Sequence, residues 1–291
     1  MKAQEAQAVK GKLISIVKET QRIYSDNEMA VYSGYTTLYI LMAMVPLLTL
    51  VIGLVNLLPT VDLENLLGVA KELLPDVPQV QAMMETVVKN VNRRAGTLAV
   101  SVSVLASLWS ASNGVSAIQL GLQKISGSAK SFVKKKVSAL LFTLLFIALI
   151  PALLVFRVLR GSIESLIVAL NEALNIPDIA GWLLRFMQYS GIITLAVMVL
   201  VILLTYTFLQ GERRRIRFQL PGAVFTTVLW LVFSSVFEIF ITRFWKASSL
   251  YGSLAAVFLA AMWLKTITMI LFYGAALNEA LLNSREKTEE E

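Results

Sequence analysis

The 291-residue chain contains no cysteine and no histidine, and only 15% of its residues are charged. Without cysteine there are no disulfides, thiol nucleophiles or thiolate metal sites. Without histidine, Ser-His catalysis, His-zinc centres and His-cluster nuclease chemistry are excluded, since imidazole is the usual base near neutral pH. The low charge excludes an ordinary soluble domain, where about 25% would be charged and about 45–50% apolar. What fills the gap is hydrocarbon: 57% of the residues are hydrophobic, gathered into long blocks rather than spread with core periodicity.

Six stretches nearly free of charge stand out, at Val31–Leu58, Ala95–Val115, Val137–Phe156, Met187–Leu209, Phe218–Ile241 and Tyr251–Ala280. Each reaches the roughly 20 residues a helix needs to cross about 30 Å of hydrocarbon. The fold class expected is all-α, an integral membrane bundle of six transmembrane helices. Six crossings leave both termini on one side, whose segments hold sixteen Lys and Arg against nine on the other. Positive-inside bias therefore predicts N-in/C-in topology in a cytoplasmic membrane. The organisation read is a cytoplasmic amphipathic segment (1–30), a membrane domain (31–282) and an acidic tail (283–291).

Leu13, Ile14 and Val17 among Lys10, Lys12 and Lys18 predict a basic helix on the cytoplasmic surface. Ser25 and Glu28 have the S-x-x-E form of a capping box, with Ser25 as N-cap of the first span. In the extracytoplasmic loops, apolar residues at helical spacing within 61–74, 80–91 and 163–174 predict amphipathic helices covering the bundle end. The clusters Lys134, Lys135, Lys136 and Arg213, Arg214, Arg215 read as topology anchors at lipid headgroups, or as a site for anionic headgroups. Nucleic acid is disfavoured as a partner, because these runs are short and carry no interleaved aromatics.

Apart from Glu279 at the very end of the last stretch, the acidic and basic residues within the six spans are Glu238 and Lys265. A lysine at mid-membrane costs about 3 kcal/mol on insertion scales, so it is expected to face the bundle interior in a functional role. Twelve residues separate it from Gly252 and from Asn278, about 18–20 Å each way, too far for its stem to snorkel. Glu238 is the candidate partner, offset by about 12–15 Å on straight helices, beside Arg243. Ser103 and Ser107 on the second span and Ser234 and Ser235 on the fifth are candidates for a polar path between them. Asn113 is a candidate cross-helix hydrogen bond or ligand contact. Ala99, Ser103, Ser107 and Ala111 form a small-residue stripe for close packing. Pro46 and Pro151 free backbone carbonyls and permit kinks.

The segments "VYSGYTTLYILMAMVPLLTLVIGLV", "LWSASNGVSAIQLGLQKI", "LPGAVFTTVLWLVFSSVFEIFI" and "YGSLAAVFLAAMWLKTITMILFYGAALNEAL" resemble, in order and spacing, the YihY/BrkB family of bacterial inner-membrane proteins. The resemblance covers about Tyr24 to Leu282, and its most specific pieces are Pro221-Gly222-Ala223 and Tyr251-Gly252-Ser253-Leu254-Ala255. Two departures stand out: Gly274-Ala275-Ala276-Leu277-Asn278 where Gly-Ala-Glu-Leu-Asn is expected, and Lys265 where an aromatic is commoner. The family was long labelled ribonuclease BN. The residues argue against that activity, with no histidine, no carboxylate cluster outside the tail and no domain to grip RNA. What the resemblance implies is a six-helix, multi-pass envelope protein with associations to lipid export.

The function expected is a transporter or flippase for an anionic lipid-like substrate, with Lys265 neutralising its headgroup, membrane lipids as partners and no cofactor or metal. The alternative is a scaffold or accessory factor for envelope biogenesis. An intramembrane enzyme is the weakest reading, since Glu238 and Lys265 are the charged candidates and differ in depth.

Overall fold

The computed structural model describes residues 2–55, 97–128, 131–149, 190–211, 215–244 and 252–290, and several helix-end side chains, 45–55 and 97–107 among them, lie outside that description. The described residues form seven helices and no strand. In chain order they are α1 (Lys2–Asp26), α2 (Met29–Val55), α3 (Thr97–Ile125), α4 (132–149), α5 (Ser190–Leu209), α6 (Ile216–Phe244) and α7 (Gly252–Glu290). The expected loop helices, and Pro151, lie outside the described residues.

Two stretches, Ile216–Ile241 of α6 and Val257–Arg285 of α7, are long and apolar enough to cross a membrane, and Thr194–Leu209 of α5 is a shorter apolar helix. α3 runs ten residues beyond the stretch expected to end at Val115, because Gly114 and Gln119 interrupt its hydropathy without interrupting its helix. α7 has 39 residues, about 58 Å at 1.5 Å rise, and so continues well past any bilayer. α2 is continuous through Pro46 and α6 through Pro221.

The corner between α1 and α2 corrects one expectation. Ser25 is still within α1, and Glu28 sits at φ 58°, in the left-handed region. The Glu28 N–H donates to the Ser25 carbonyl at 2.9 Å, while the Glu28 carbonyl accepts from Val31 and Tyr32. The S-x-x-E spacing thus marks a tight helix-to-helix corner, not a capping box. A left-handed non-glycine residue is uncommon, and here it lets α1 fold back onto the bundle.

One end of the bundle gathers the start of α2, the α3–α4 connection, the α5–α6 connection and the last third of α7. We call this end proximal and the opposite end distal. Gly211 lies against Ser128, which brings the two connections together, and Gly114 of α3 lies against Ile40 and Ala43 of α2. The buried apolar cluster sits mostly in this proximal half, around Met29, Leu122, Tyr206, Leu209, Phe272 and Ala275. α1 closes it from the side. Its Tyr24 ring stacks on Tyr273 with centroids 3.8 Å apart, and the Tyr273 hydroxyl donates to Gln21 at 2.8 Å.

The polarity of the molecule is inverted relative to a soluble domain. Gln119, Gln219, Thr36 and Thr226 are fully buried, while Val31, Leu38, Leu141, Ile192, Val232 and Val236 are exposed. Buried polar side chains among small residues, wrapped in exposed Val, Leu and Ile, suit hydrocarbon as the outer solvent.

Candidate functional site

The proximal half is locked where α6 crosses α7. A Cβ placed on Gly222 would collide with the Gly274 carbonyl and the Asn278 side chain. One placed on Gly274 would collide with Thr226, Tyr206 and the Gly222 carbonyl. Only glycine admits such backbone approach, which is how membrane helices gain contact when the hydrophobic effect between them is absent. Asn278 then bridges the pair. Its Oδ1 accepts the Gly222 N–H at 2.7 Å, and its Nδ2 donates to the Gln219 carbonyl at 3.1 Å and to Gln219 Oε1 at 2.9 Å. Gln219 Nε2 passes the chain on to Gln210 Oε1 at 3.2 Å.

One turn farther along, the fully buried Tyr206 of α5 donates to the Leu271 carbonyl at 2.6 Å and meets Thr226 Oγ1 at 2.7 Å. Farther still, the Trp230 indole donates to the Ile267 carbonyl at 2.9 Å. Sequence reasoning weighed charged residues in the spans and passed over Gln210, Gln219, Asn278 and Tyr206. The signal was present: an uncharged amide in an apolar helix must find a partner within the protein.

These pairings set the register of α6 against α7 and place the nominated residues. Gly222 with Asn278, Thr226 with Leu271 and Trp230 with Ile267 put Lys265 level with residues 232–235, and so with Ser234 and Ser235. Glu238 is then about 5–9 Å farther toward the distal end at 1.5 Å per residue, a smaller offset than span ends alone implied. Ser234 is half-buried; Ser235, Glu238 and Arg243 are exposed, Arg243 in the last turn of α6. Glu238 has an interaction of its own.

Lys265 is exposed. It precedes Phe272 by seven residues, two helical turns, and so shares its face of α7. Phe272 is fully buried and packs against Gly121 of α3, where a Cβ would strike the ring. Phe258, another seven residues outward, is 69% exposed. On the face of α7 that seals onto α3 at Phe272, Lys265 and Phe258 are thus exposed, with Ala261 and Met262 between them half-buried.

At the proximal surface the three lysines part ways. Lys136 donates to Asn113 Oδ1 at 3.0 Å and lies 4.0 Å over the Trp109 ring, so Asn113 makes its cross-helix bond to a basic residue on α4. Burial lowers the pKa of Lys136 and of Lys135. Lys134 is exposed on the rim of a groove of about 420 Å³ between α4 and α5. Arg215 is exposed, while Arg213 and Arg214 lie outside the described residues, as do the side chains of Ser103, Ser107, Pro46 and Gly252. Of the small-residue stripe, Ala111 is buried; among the described residues of α3 the tight approach is at Gly121, against Phe272.

A polar, glycine-pinned interior inside an apolar exterior defines the class: an α-helical membrane protein. The profile of the family described as Virulence factor BrkB matches residues 20–291, and the chain belongs to that family. Among its relatives is YfkH of Bacillus subtilis (strain 168), named a ribonuclease-like protein, 26% identical over 285 residues that cover 96% of this chain and 98% of that one. A UPF0761 membrane protein of Pseudomonas aeruginosa (strain LESB58) is 32% identical over 95 residues, 33% of this chain and 23% of its own length. Another, from Pseudoalteromonas translucida (strain TAC 125), is 22% identical over 107 residues, 37% of this chain and 34% of its own. The chain thus spans 23% and 34% of the length of those two UPF0761 proteins. No solved structure matches it. The family is one of membrane proteins, and the ribonuclease-like name belongs to a relative at 26% identity.

Proposed function

We propose that this chain is a six-pass protein of the bacterial cytoplasmic membrane, both termini in the cytoplasm, that moves an anionic amphiphile between leaflets. The six passes are α2 to α7, one for each apolar stretch, and the proximal end is the cytoplasmic one. The observation that carries the reading is the uncovered Lys265. It stands two turns outward of the Phe272–Gly121 seal, on the same face of α7. A lysine at that depth costs about 3 kcal/mol unless something polar meets it. Water in a recess above the seal would do so, and so would the phosphate of a passing headgroup. Ser234 and Ser235, at the same level, extend the polar surface toward Glu238.

Proteoliposomes carrying a fluorescent phosphatidylglycerol analogue test this. Flux well above that of protein-free vesicles is expected. Lys265→Ala is expected to lower it at least tenfold and Lys265→Arg to restore most of it. Equal flux in Lys265→Ala and the unaltered protein would remove Lys265 from the mechanism.

A second reading, a scaffold that supports other envelope proteins, is favoured by the proximal half, where glycine contacts and an amide network hold α6 tightly against α7. It predicts no flux above that of protein-free vesicles.

A further inference from the structure

The groove between α4 and α5 changes chemistry along its length. At one end stands Lys134, exposed, in the first turn of α4. Lys135 N–H donates to the Ser131 carbonyl at 2.9 Å, which sets the start of this helix. Helix starts carry partial positive charge from unpaired N–H groups and disfavour cations. Three consecutive lysines there are a local conflict that an anion would relieve, since helix N-termini and ammonium groups both favour phosphate. Lys136 is engaged with Asn113 and Trp109, which leaves Lys134 at the groove.

The middle of the groove is polar and held in place from behind. Ser138 donates to the Lys135 carbonyl at 3.0 Å and accepts from Gln119 Nε2 at 2.9 Å. Gln119 is fully buried, and its Oε1 has no partner among the described residues. On the opposite wall, the buried Gln210 accepts from Gln219 through its oxygen, which ties the groove to the amide network behind it. Among the described residues, none that lines the groove is acidic.

The far end is apolar, walled by Leu141, Phe142 and Phe208. Leu141 is 61% exposed and Phe208 37%, so this end opens onto the apolar exterior that lipid chains cover. A cationic rim, a hydrogen-bonding middle and an apolar outlet occur in the order of phosphate, headgroup and acyl chain. The volume lies within the roughly 300–1,000 Å³ of small-molecule sites.

We propose that this groove holds an anionic glycerophospholipid taken from the adjacent leaflet. Its phosphate sits at Lys134 and the head of α4, hydroxyls of its headgroup meet the half-buried Ser138, and an acyl chain leaves past Leu141 and Phe208. This deepens the transport reading by supplying its loading site and substrate class, and rests on it for the assignment to the cytoplasmic leaflet. A choline headgroup fits less well, because its quaternary ammonium would face Lys134 and offers no donor to the middle of the groove.

Native mass spectrometry of the purified full-length protein, titrated with phosphatidylglycerol or phosphatidylcholine, reads lipid retention directly. Phosphatidylglycerol is expected to bind at about tenfold lower concentration, the worth of one charge-assisted contact. Lys134→Gln should abolish that preference and Lys134→Arg keep it. Because Lys134 is exposed, an unchanged melting temperature in each variant shows that the fold is intact. Equal retention of the two lipids, a preference unaltered in Lys134→Gln, or displacement by millimolar inorganic phosphate would overturn the proposal, the last marking a site for free anions. Lys265→Ala separates the two readings. Retention preserved with flux lost supports both, whereas retention preserved with flux unaltered removes the role of Lys265 in transport and leaves the groove standing.

Discussion

The two ends of α6 and α7 are built on opposite principles. Near Gly222 and Gly274 the backbones touch, and Gln219, Asn278, Thr226 and Tyr206 are paired with neighbours on other helices. Near Val236, Ile239 and Phe258 the same two helices present large apolar side chains outward, as Leu220, Val224 and Val228 also do, but no glycine contact joins their backbones among the described residues. Trp230 and Ile267 mark the last described cross-helix hydrogen bond before the change. In lipid, apolar side chains gain little by turning inward, so association depends on packing and on hydrogen bonds. The proximal half has both, and it serves as the fixed base from which the distal half, with Lys265, projects.

If that contrast is right, disturbing the base should cost most. Gly274→Leu is expected to abolish the folded state or destabilise it beyond the roughly 1–3 kcal/mol usual for overpacking, because even a Cβ collides with Tyr206, Thr226 and Gly222. Thermal unfolding in detergent measures it, and near-normal melting would show that the crossing is not tight. Asn278→Leu should cost about 1–3 kcal/mol by stranding the Gly222 N–H and the Gln219 side chain.

Trp230→Phe, at the border, should cost about 0.5–1.5 kcal/mol through loss of one hydrogen bond to the Ile267 carbonyl. Smallest is Lys265→Gln, expected to change stability by less than about 0.5 kcal/mol because its side chain is exposed, while flux falls. A large loss of stability there would mean that Lys265 is a structural residue of the distal half. Hydrogen exchange sharpens the same contrast, with slower amides expected at 219–227 than at 232–241 of the single helix α6.

Much of this was open to reading in the chain. The exposed Leu13, Ile14 and Val17 on α1, the helices at each described apolar block, and the membrane family follow from hydropathy and from stretches such as Pro221-Gly222-Ala223. The α1–α2 corner did not follow. Ser25 and Glu28 satisfy a local capping pattern, yet the chain uses them to turn between two helices, because docking Tyr24 on Tyr273 demands the fold-back. Burial pushes the Tyr24 phenol up in pKa, more than the neighbouring Ser33 hydroxyl lowers it.

Nor did the candidate site come through whole. Lys265 was conspicuous as a lone charge, and Lys134 as one of three. That Lys136 is consumed by Asn113 and Trp109 while Lys134 faces a groove depends on which way α4 is rotated against α3. That Gln210, Gln219 and Asn278 form one chain depends on three helices meeting at one depth.

Composition and hydropathy determined that this chain is helical and belongs in lipid, since backbone groups in hydrocarbon must be satisfied within each helix. Which glycines touch, which amides pair and which lysine is left uncovered was decided by the tertiary structure alone. Hydropathy is a property of single residues summed along a segment, whereas rotation and register between helices are set by contacts among residues far apart in the chain.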